Sequence, residues 1–251
     1  MNLSAIDAGI LGPAFIAGVL VIATHVPLGI QVLSRGIVFI DLAIAQVAGL
    51  GVIFADWLGL APMGWGVQAA ALSAALAGAL VLTWTERRWP EVQEAIIGTT
   101  FVLAATGALL LLAANPRGGE HLKELLVGQI LWVNWERLLP VAVAYAAILA
   151  VWLGARERIG RIGFYLLFAA TVTISVQLVG LYLVFASLII PALATYYWSR
   201  RRLAACYALG IGGYALGLVA SAVLDLPAGA VVVWALALLG MPAFFLTGKE
   251  G

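Results

Sequence analysis

The sequence predicts an all-α protein, a polytopic bundle of helices embedded in a membrane. Three observations carry that reading. Of 251 residues, 64% are hydrophobic and only 10% are charged. Soluble domains carry about 25% charged residues, so this chain could not cover a water-facing surface with charge. Its mean hydropathy is +1.10. Its apolar residues fall in runs matching the roughly 20 residues that a helix needs to cross a hydrocarbon core of ~30 Å. A net charge of +1 leaves no footprint for nucleic acid. The single cysteine, Cys206, permits no internal disulfide. No cleavable leader is expected, because residues 1–7 lack the basic start such a segment needs.

Breaks at polar residues and Gly/Pro punctuation place spans at 9–33, 37–57, 62–84, 94–114, 138–154, 163–180, 181–197, 203–223 and 228–247. As one helix, 163–197 would run about 52 Å, too long for one crossing and short for two. Gly180 sits at its middle and can supply a break. Charge separates the options. If 163–197 goes across and back, one side holds Arg35, Arg87, Arg88, Arg156, Arg158, Arg161, Arg200, Arg201, Arg202 and Lys249. The other side holds Arg117, Lys123 and Arg137. A single crossing would put Arg200–Arg202 opposite Arg156–Arg161 and shrink that asymmetry. A hairpin with a short or re-entrant second arm is therefore expected, with the N-terminus outside and the C-terminus cytoplasmic.

The loops are too short for a second domain, so 1–251 reads as a single transmembrane domain with eight to nine membrane segments. Within the longest loop, 122–134 reads as a short re-entrant or interfacial helix. Gly128 there either lets backbone approach a neighbour or is only a flexible point. Most of the Trp residues fall near predicted interfaces, as an aromatic belt does. The chain carries no phosphate-cradling Gly-x-x-x-x-Gly-Lys-Ser/Thr, so it is not expected to hydrolyse nucleotide by itself. Cys-x-x-Cys, His-Glu-x-x-His and Gly-x-Ser-x-Gly are also absent, so an enzyme is not expected.

Charge inside a bilayer costs at least ~2.5 kcal/mol on insertion scales, which makes intramembrane polar residues the functional candidates. Asp41, about one turn into the second span, either lines a polar pathway or pairs with Arg35 or a helix N-terminus. Gln46 lies about 500° further round the helix, equivalent to ~140°, so it occupies a different face. It is either glue between helices or a ligand. Glu94 opens its span, facing that helix's N-terminal dipole. Asp56 reads as an interfacial charge. His25 precedes Pro27 and Gly29, where the helical ladder is loosened. It is either a packing histidine or part of a pathway. Gln177, Thr171, Thr173 and Ser175 make the sixth span polar, and could equally bond between helices. Glu120, His121 and Glu124 form a His/carboxylate cluster or a solvated loop. Gly213-x-x-x-Gly217 allows close helix packing.

Several segments carry the reading further. Pro27-Leu-Gly-Ile-Gln-Val-Leu-Ser-Arg35-Gly36, followed by Phe39-Ile-Asp41-Leu-Ala-Ile-Ala-Gln46-Val-Ala-Gly-Leu-Gly51, resembles the start of the zinc/manganese/iron ABC-transporter permease family. Glu94-Ala-Ile-Ile-Gly98 looks like the start of that family's fourth helix. Leu125-Leu-Val-Gly128-Gln-Ile-Leu131 resembles its Leu-Phe-Gly-Asp-Ile-Leu stretch. Gln177-Leu-Val-Gly180-Leu-Tyr-Leu-Val-Phe-Ala-Ser-Leu-Ile-Ile-Pro191-Ala is similar to its most recognisable segment, and Asp225-Leu-Pro227-Ala-Gly229 to its last outer turn.

The resemblance implies a type II importer permease in the inner or plasma membrane. Two copies would form a homodimer around a central pathway for a divalent metal ion: manganese, zinc or iron. A cytoplasmic ABC ATPase subunit would use the ATP, and an extracytoplasmic solute-binding protein would deliver the cargo. This chain itself would hold no cofactor. The resemblance makes Asp41, Gln46, His25 and Gln177 candidates for the pathway, with Asp41 as the metal ligand. Glu120, His121, Glu124 and Gly128 become candidates for the outer gate, and Arg156, Arg158 and Arg161 for the ATPase contact. The family usually shows Gly-Asp-x-x-Ser-His in its second helix, where this chain reads Asp41-Leu-Ala-Ile-Ala45-Gln46. The acid is displaced by one residue and an amide replaces the imidazole. That set suits an oxygen-liking ion such as manganese better than zinc. Alternative cargoes are a metal chelate or a small organic nutrient, and an alternative mechanism is an ATP-independent carrier or channel.

Overall fold

The computed structural model describes residues 8–60, 64–112, 130–155, 158–198 and 201–247. Among the described residues there are nine α-helices and no strand. They are α1 (Ala8–Arg35), α2 (Ile40–Trp57), α3 (Trp65–Arg88), α4 (Gln93–Leu112), α5 (Trp135–Ala155), α6 (Gly160–Val179), α7 (Leu181–Ala194), α8 (Arg202–Leu224) and α9 (Ala228–Thr247). Short 3-10 turns occupy Pro90–Val92 and Ile130–Trp132. Eight of the helices are long and apolar enough to cross a membrane. The exception, α7, has 14 residues, about 21 Å of rise against a core of ~30 Å. The expected short second arm is thus present.

Two breaks depend on glycine. Gly180 separates α6 from α7 with φ 85° and ψ 160°, a region essentially closed to residues with a Cβ. Gly36 follows α1 with φ 70°, and the turn after it closes with Ile40 N–H donating to Ile37 O at 3.2 Å. The second span therefore starts as a helix at Ile40 rather than at 37, and Asp41 lies in its first turn. Of the helix expected near 122–134, the described part shows only the turn at Ile130–Trp132, and α5 begins at Trp135.

The helices pack as two compact units. The first comprises Met1–Arg35, Leu126–Ala147 and Gln177–Gly251. Its centre is α7, in which ten of the 14 residues are buried, among them Leu183, Val184, Leu188 and Ala192. α1, α8 and α9 pack around it. Small residues set the spacing: a Cβ on Gly29 of α1 would drive into the backbone carbonyl of Leu188 in α7. Gly213 and Gly217 of α8 face Leu236 and Val232 of α9, which realises the close packing that their spacing allows.

The second unit comprises Gly36–Leu125 and Ile148–Val176. Here α2 is central, packed on α3 and α4. A Cβ on Gly51 would come within 2.8 Å of the Ala70 carbonyl and of Ala74 Cβ. An open apolar groove runs among Val47, Leu50, Phe54, Ala74, Gly107 and Leu111. Trp152 of α5 and Phe164 of α6 meet at 5.8 Å between ring centroids.

Candidate functional site

In the second unit, the start of α2 gathers the polar groups. Asp41 has 0% exposure. Neither of its carboxylate oxygens has a hydrogen-bond partner among the described residues. Asp41 lies in the first turn of α2, where the partial positive charge of a helix N-terminus favours an anion. A buried carboxylate lacking a proper partner is expensive, and such expense inside a membrane span marks function. Gln46 is half-buried, on another face from Asp41, as the helical angle requires.

Glu94 occupies the first turn of α4, and its reach extends beyond its own helix. Its Oε1 accepts a hydrogen bond from Phe39 N–H, the residue before α2, at 3.3 Å. Its Oε2 is buried with no hydrogen-bond partner among the described residues. The neighbouring Gln93 holds the turn in place. It donates from Nε2 to Leu82 O at 3.0 Å and accepts from Thr85 Oγ1 at 3.0 Å. Composition gives no hint of this clamp, because an amide at a helix start reads as solvated.

In the first unit, His25 is fully buried. Its Nδ1 lies 2.9 Å from Val21 O, which requires the proton on Nδ1, and 3.1 Å from Thr24 Oγ1. Its Nε2 is buried without a partner among the described residues. Pro27 lacks an N–H, so the carbonyl four residues earlier, Ala23 O, loses its helical donor. Tyr207 of α8 supplies the missing bond at 3.1 Å. Ser187 Oγ and Tyr214 OH meet at 2.9 Å, with the Tyr214 ring filling the space beside Gly18. At the end of α7, Thr195 Oγ1 and Cys206 Sγ lie 2.9 Å apart, and Arg202 donates to Ala192 O at 3.2 Å. These residues escaped the sequence reading. Only Tyr207 had a signal, in the carbonyl that Pro27 must free.

Gln177 lies on α6, exposed, three residues before Gly180. Thr171, Thr173 and Ser175 each donate to a carbonyl four residues earlier in their own helix, at 2.7 to 2.8 Å. These hydroxyl protons are spent within α6 rather than between helices. Arg158 and Arg161 are exposed at the start of α6. Glu120, His121, Glu124, Gly128 and Arg156 lie outside the described residues. Among the described residues, no three His, Cys, Asp or Glu side chains gather as a metal-holding group. The structure brings Glu94 close to the segment bearing Asp41, and the polar groups of α2 are carboxylate and amide oxygens, which are hard donors.

The family model of the ABC 3 transport family matches residues 7–159 and 150–247, nearly the whole chain. The chain belongs to the ABC 3 transport family. Members of this family are membrane permease subunits of transporters, in keeping with eight apolar helices long enough to span. The chain is 27% identical over 211 residues to the chelated iron transport system membrane protein YfeC of Yersinia pestis, covering 75% of this chain and 71% of that protein. Its fold is that of PsaBC from Streptococcus pneumoniae, solved in complex with Fab, at a TM-score of 0.79 and 21% identity, over 100% of this chain and 98% of that one. A transporter assigned to the metal-chelate type, in an inward-facing conformation, matches at a TM-score of 0.70 and 16% identity, over 95% of this chain and 85% of that one. The bundle expected from composition and the family expected from five sequence segments are both found.

Proposed function

We propose that this chain is the permease subunit of an ATP-driven importer for a divalent metal ion, with Asp41 as a ligand on its path. The observation that carries the reading is Asp41 itself, a fully buried carboxylate with no hydrogen-bond partner among the described residues, in the first turn of a membrane-spanning helix. Oxygen donors without a histidine or thiolate suit manganese or ferrous iron better than zinc. In this account 1–251 acts as one permease domain and pairs with a second copy. A separate ATPase subunit hydrolyses ATP and meets the exposed Arg158 and Arg161, while an extracytoplasmic binding protein delivers cargo. The chain holds no cofactor of its own. The basic residues put the C-terminus in the cytoplasm.

A second reading, import of a chelated metal, is favoured by the two relatives described as serving chelated iron and metal chelates. Metal-resolved uptake into vesicles carrying the chain with its ATPase and binding protein separates these. ATP-dependent accumulation of free manganese or iron is the expected result. Accumulation only of a chelate moves the cargo to the second reading. Accumulation without ATP contradicts both and leaves a carrier or channel.

A further inference from the structure

We propose that the junction of α7 and α8 binds the phosphate headgroup of an anionic phospholipid through Trp198, Arg201 and Arg202. The charge here is unbalanced. From Ile162 to Leu224 the sequence holds three arginines, Arg200–Arg202, and no acid. The helices packed against α8, namely α1, α7 and α9, bring no carboxylate either. The first acid after the arginines, Asp225, follows the far end of α8, about 34 Å away along the axis. Two N–H donors at the junction, Trp198 Nε1 and Arg202 Nε, are buried with no hydrogen-bond partner among the described residues. Buried donors are seldom left so unless something outside the protein accepts from them. The Arg202 guanidinium is also held in place: it donates to Ala192 O at 3.2 Å and sits 5.6 Å from the centre of the Tyr196 ring.

The surroundings decide which anion those donors await. Leu193 near the end of α7, Leu203 beside Arg202 and Phe245 of α9 are all exposed, as are Tyr196 and Tyr197. The Tyr197 ring meets Phe244 of α9 at 5.6 Å between centroids, so the aromatic band continues onto the next helix. Tyrosine and tryptophan gather at the headgroup level of a bilayer, and arginines beside a membrane attract anionic lipids. A free anion would leave the leucines and Phe245 uncovered. A phospholipid matches both halves, with its phosphate on the arginines and the indole N–H and its acyl chains over the apolar side chains. Bound there, it would tie the end of α7 to the start of α8.

The test is titration of phosphatidylglycerol, and separately of phosphatidylcholine, into the assembled transporter in detergent, with bound lipid counted by native mass spectrometry. The parent should bind phosphatidylglycerol the more tightly. Arg201→Asn suits the left-handed backbone at that position, φ 59°, and removes the charge, while Arg202→Gln keeps a donor for Ala192 O. Each should weaken phosphatidylglycerol binding about fivefold, the effect of one arginine at an anionic surface, and leave phosphatidylcholine unchanged. Trp198→Phe keeps a ring and removes only the N–H. It should weaken phosphatidylglycerol by a smaller factor, and serves if the arginine variants do not assemble. No preference for phosphatidylglycerol in the parent, or unchanged affinity in the variants, would overturn the site. Displacement of the lipid by equal concentrations of inorganic phosphate would make a free anion the occupant and overturn the lipid. Loss of the ATPase subunit from the arginine variants, with lipid binding unchanged, would assign the arginines to a protein contact and overturn it too.

Discussion

The two units differ in the charge of the polar groups they bury. Around α7 the polar groups are mostly satisfied by partners in the protein: Ser187 with Tyr214, Thr195 with Cys206, and the carbonyl freed by Pro27 with Tyr207. Glycines bring the backbones of α1 and α7 into contact. Around α2 and the helices packed on it the packing is equally close at Gly51, yet both carboxylate oxygens of Asp41, Oε2 of Glu86 and Oε2 of Glu94 are buried with no hydrogen-bond partner among the described residues. Both units use polar side chains to hold helices together, as Gln93 does with Leu82 and Thr85 in the second, and what sets the second apart is its buried carboxylates. In the first unit His25 Nε2, Trp198 Nε1 and Arg202 Nε are also buried without a hydrogen-bond partner among the described residues, so the contrast rests on chemistry: the unbonded carboxylate oxygens lie in the second unit.

The contrast can be tested at both ends. The largest effect is expected in the first unit, where Gly29→Val would push a side chain into the Leu188 carbonyl. Backbone cannot yield as a side-chain tip does, so loss of the monodisperse, detergent-stable protein is expected on size-exclusion chromatography. Gly180→Ala should cost about 1–3 kcal/mol by forcing an L-residue into its φ and ψ, read as a lower unfolding temperature. Tyr214→Phe should cost about 0.6–1.7 kcal/mol, the range for a hydrogen bond between membrane helices, and should leave uptake intact. A transport defect in a stable Tyr214→Phe protein would break the division between the units. Gly98→Ala, where an added Cβ meets nothing within 4 Å, should change the unfolding temperature little.

Much of the fold was legible because a bilayer makes it so. Hydrocarbon demands long apolar helices, so the span boundaries lay within a few residues of the observed ones, and the break at Gly180 was visible as a glycine in an overlong apolar run. The start of α2 was misplaced by three residues, because the turn at Gly36–Phe39 is apolar and looks like helix. The candidate site was half legible. Asp41 stood out as an acid in an apolar span. The bond from Phe39 to Glu94 spans 55 positions, and that between Ser187 and Tyr214 spans 27. Neither has a local pattern, since each is created only when separate helices pack. Thr171, Thr173 and Ser175 illustrate the converse: hydroxyls that looked available to neighbours donate their protons to carbonyls of their own helix.

The central claim is that Asp41 is kept for cargo rather than for structure. The most direct measurement compares ATP-driven Mn²⁺ uptake by vesicles bearing the parent transporter and its Asp41→Asn variant, with the unfolding temperature of each recorded alongside. Uptake falling to background in a variant as stable as the parent, or more so, is the predicted result, because removing a buried unpaired charge does not weaken a fold. Unchanged uptake, or a loss fully matched by a drop in stability, would contradict it.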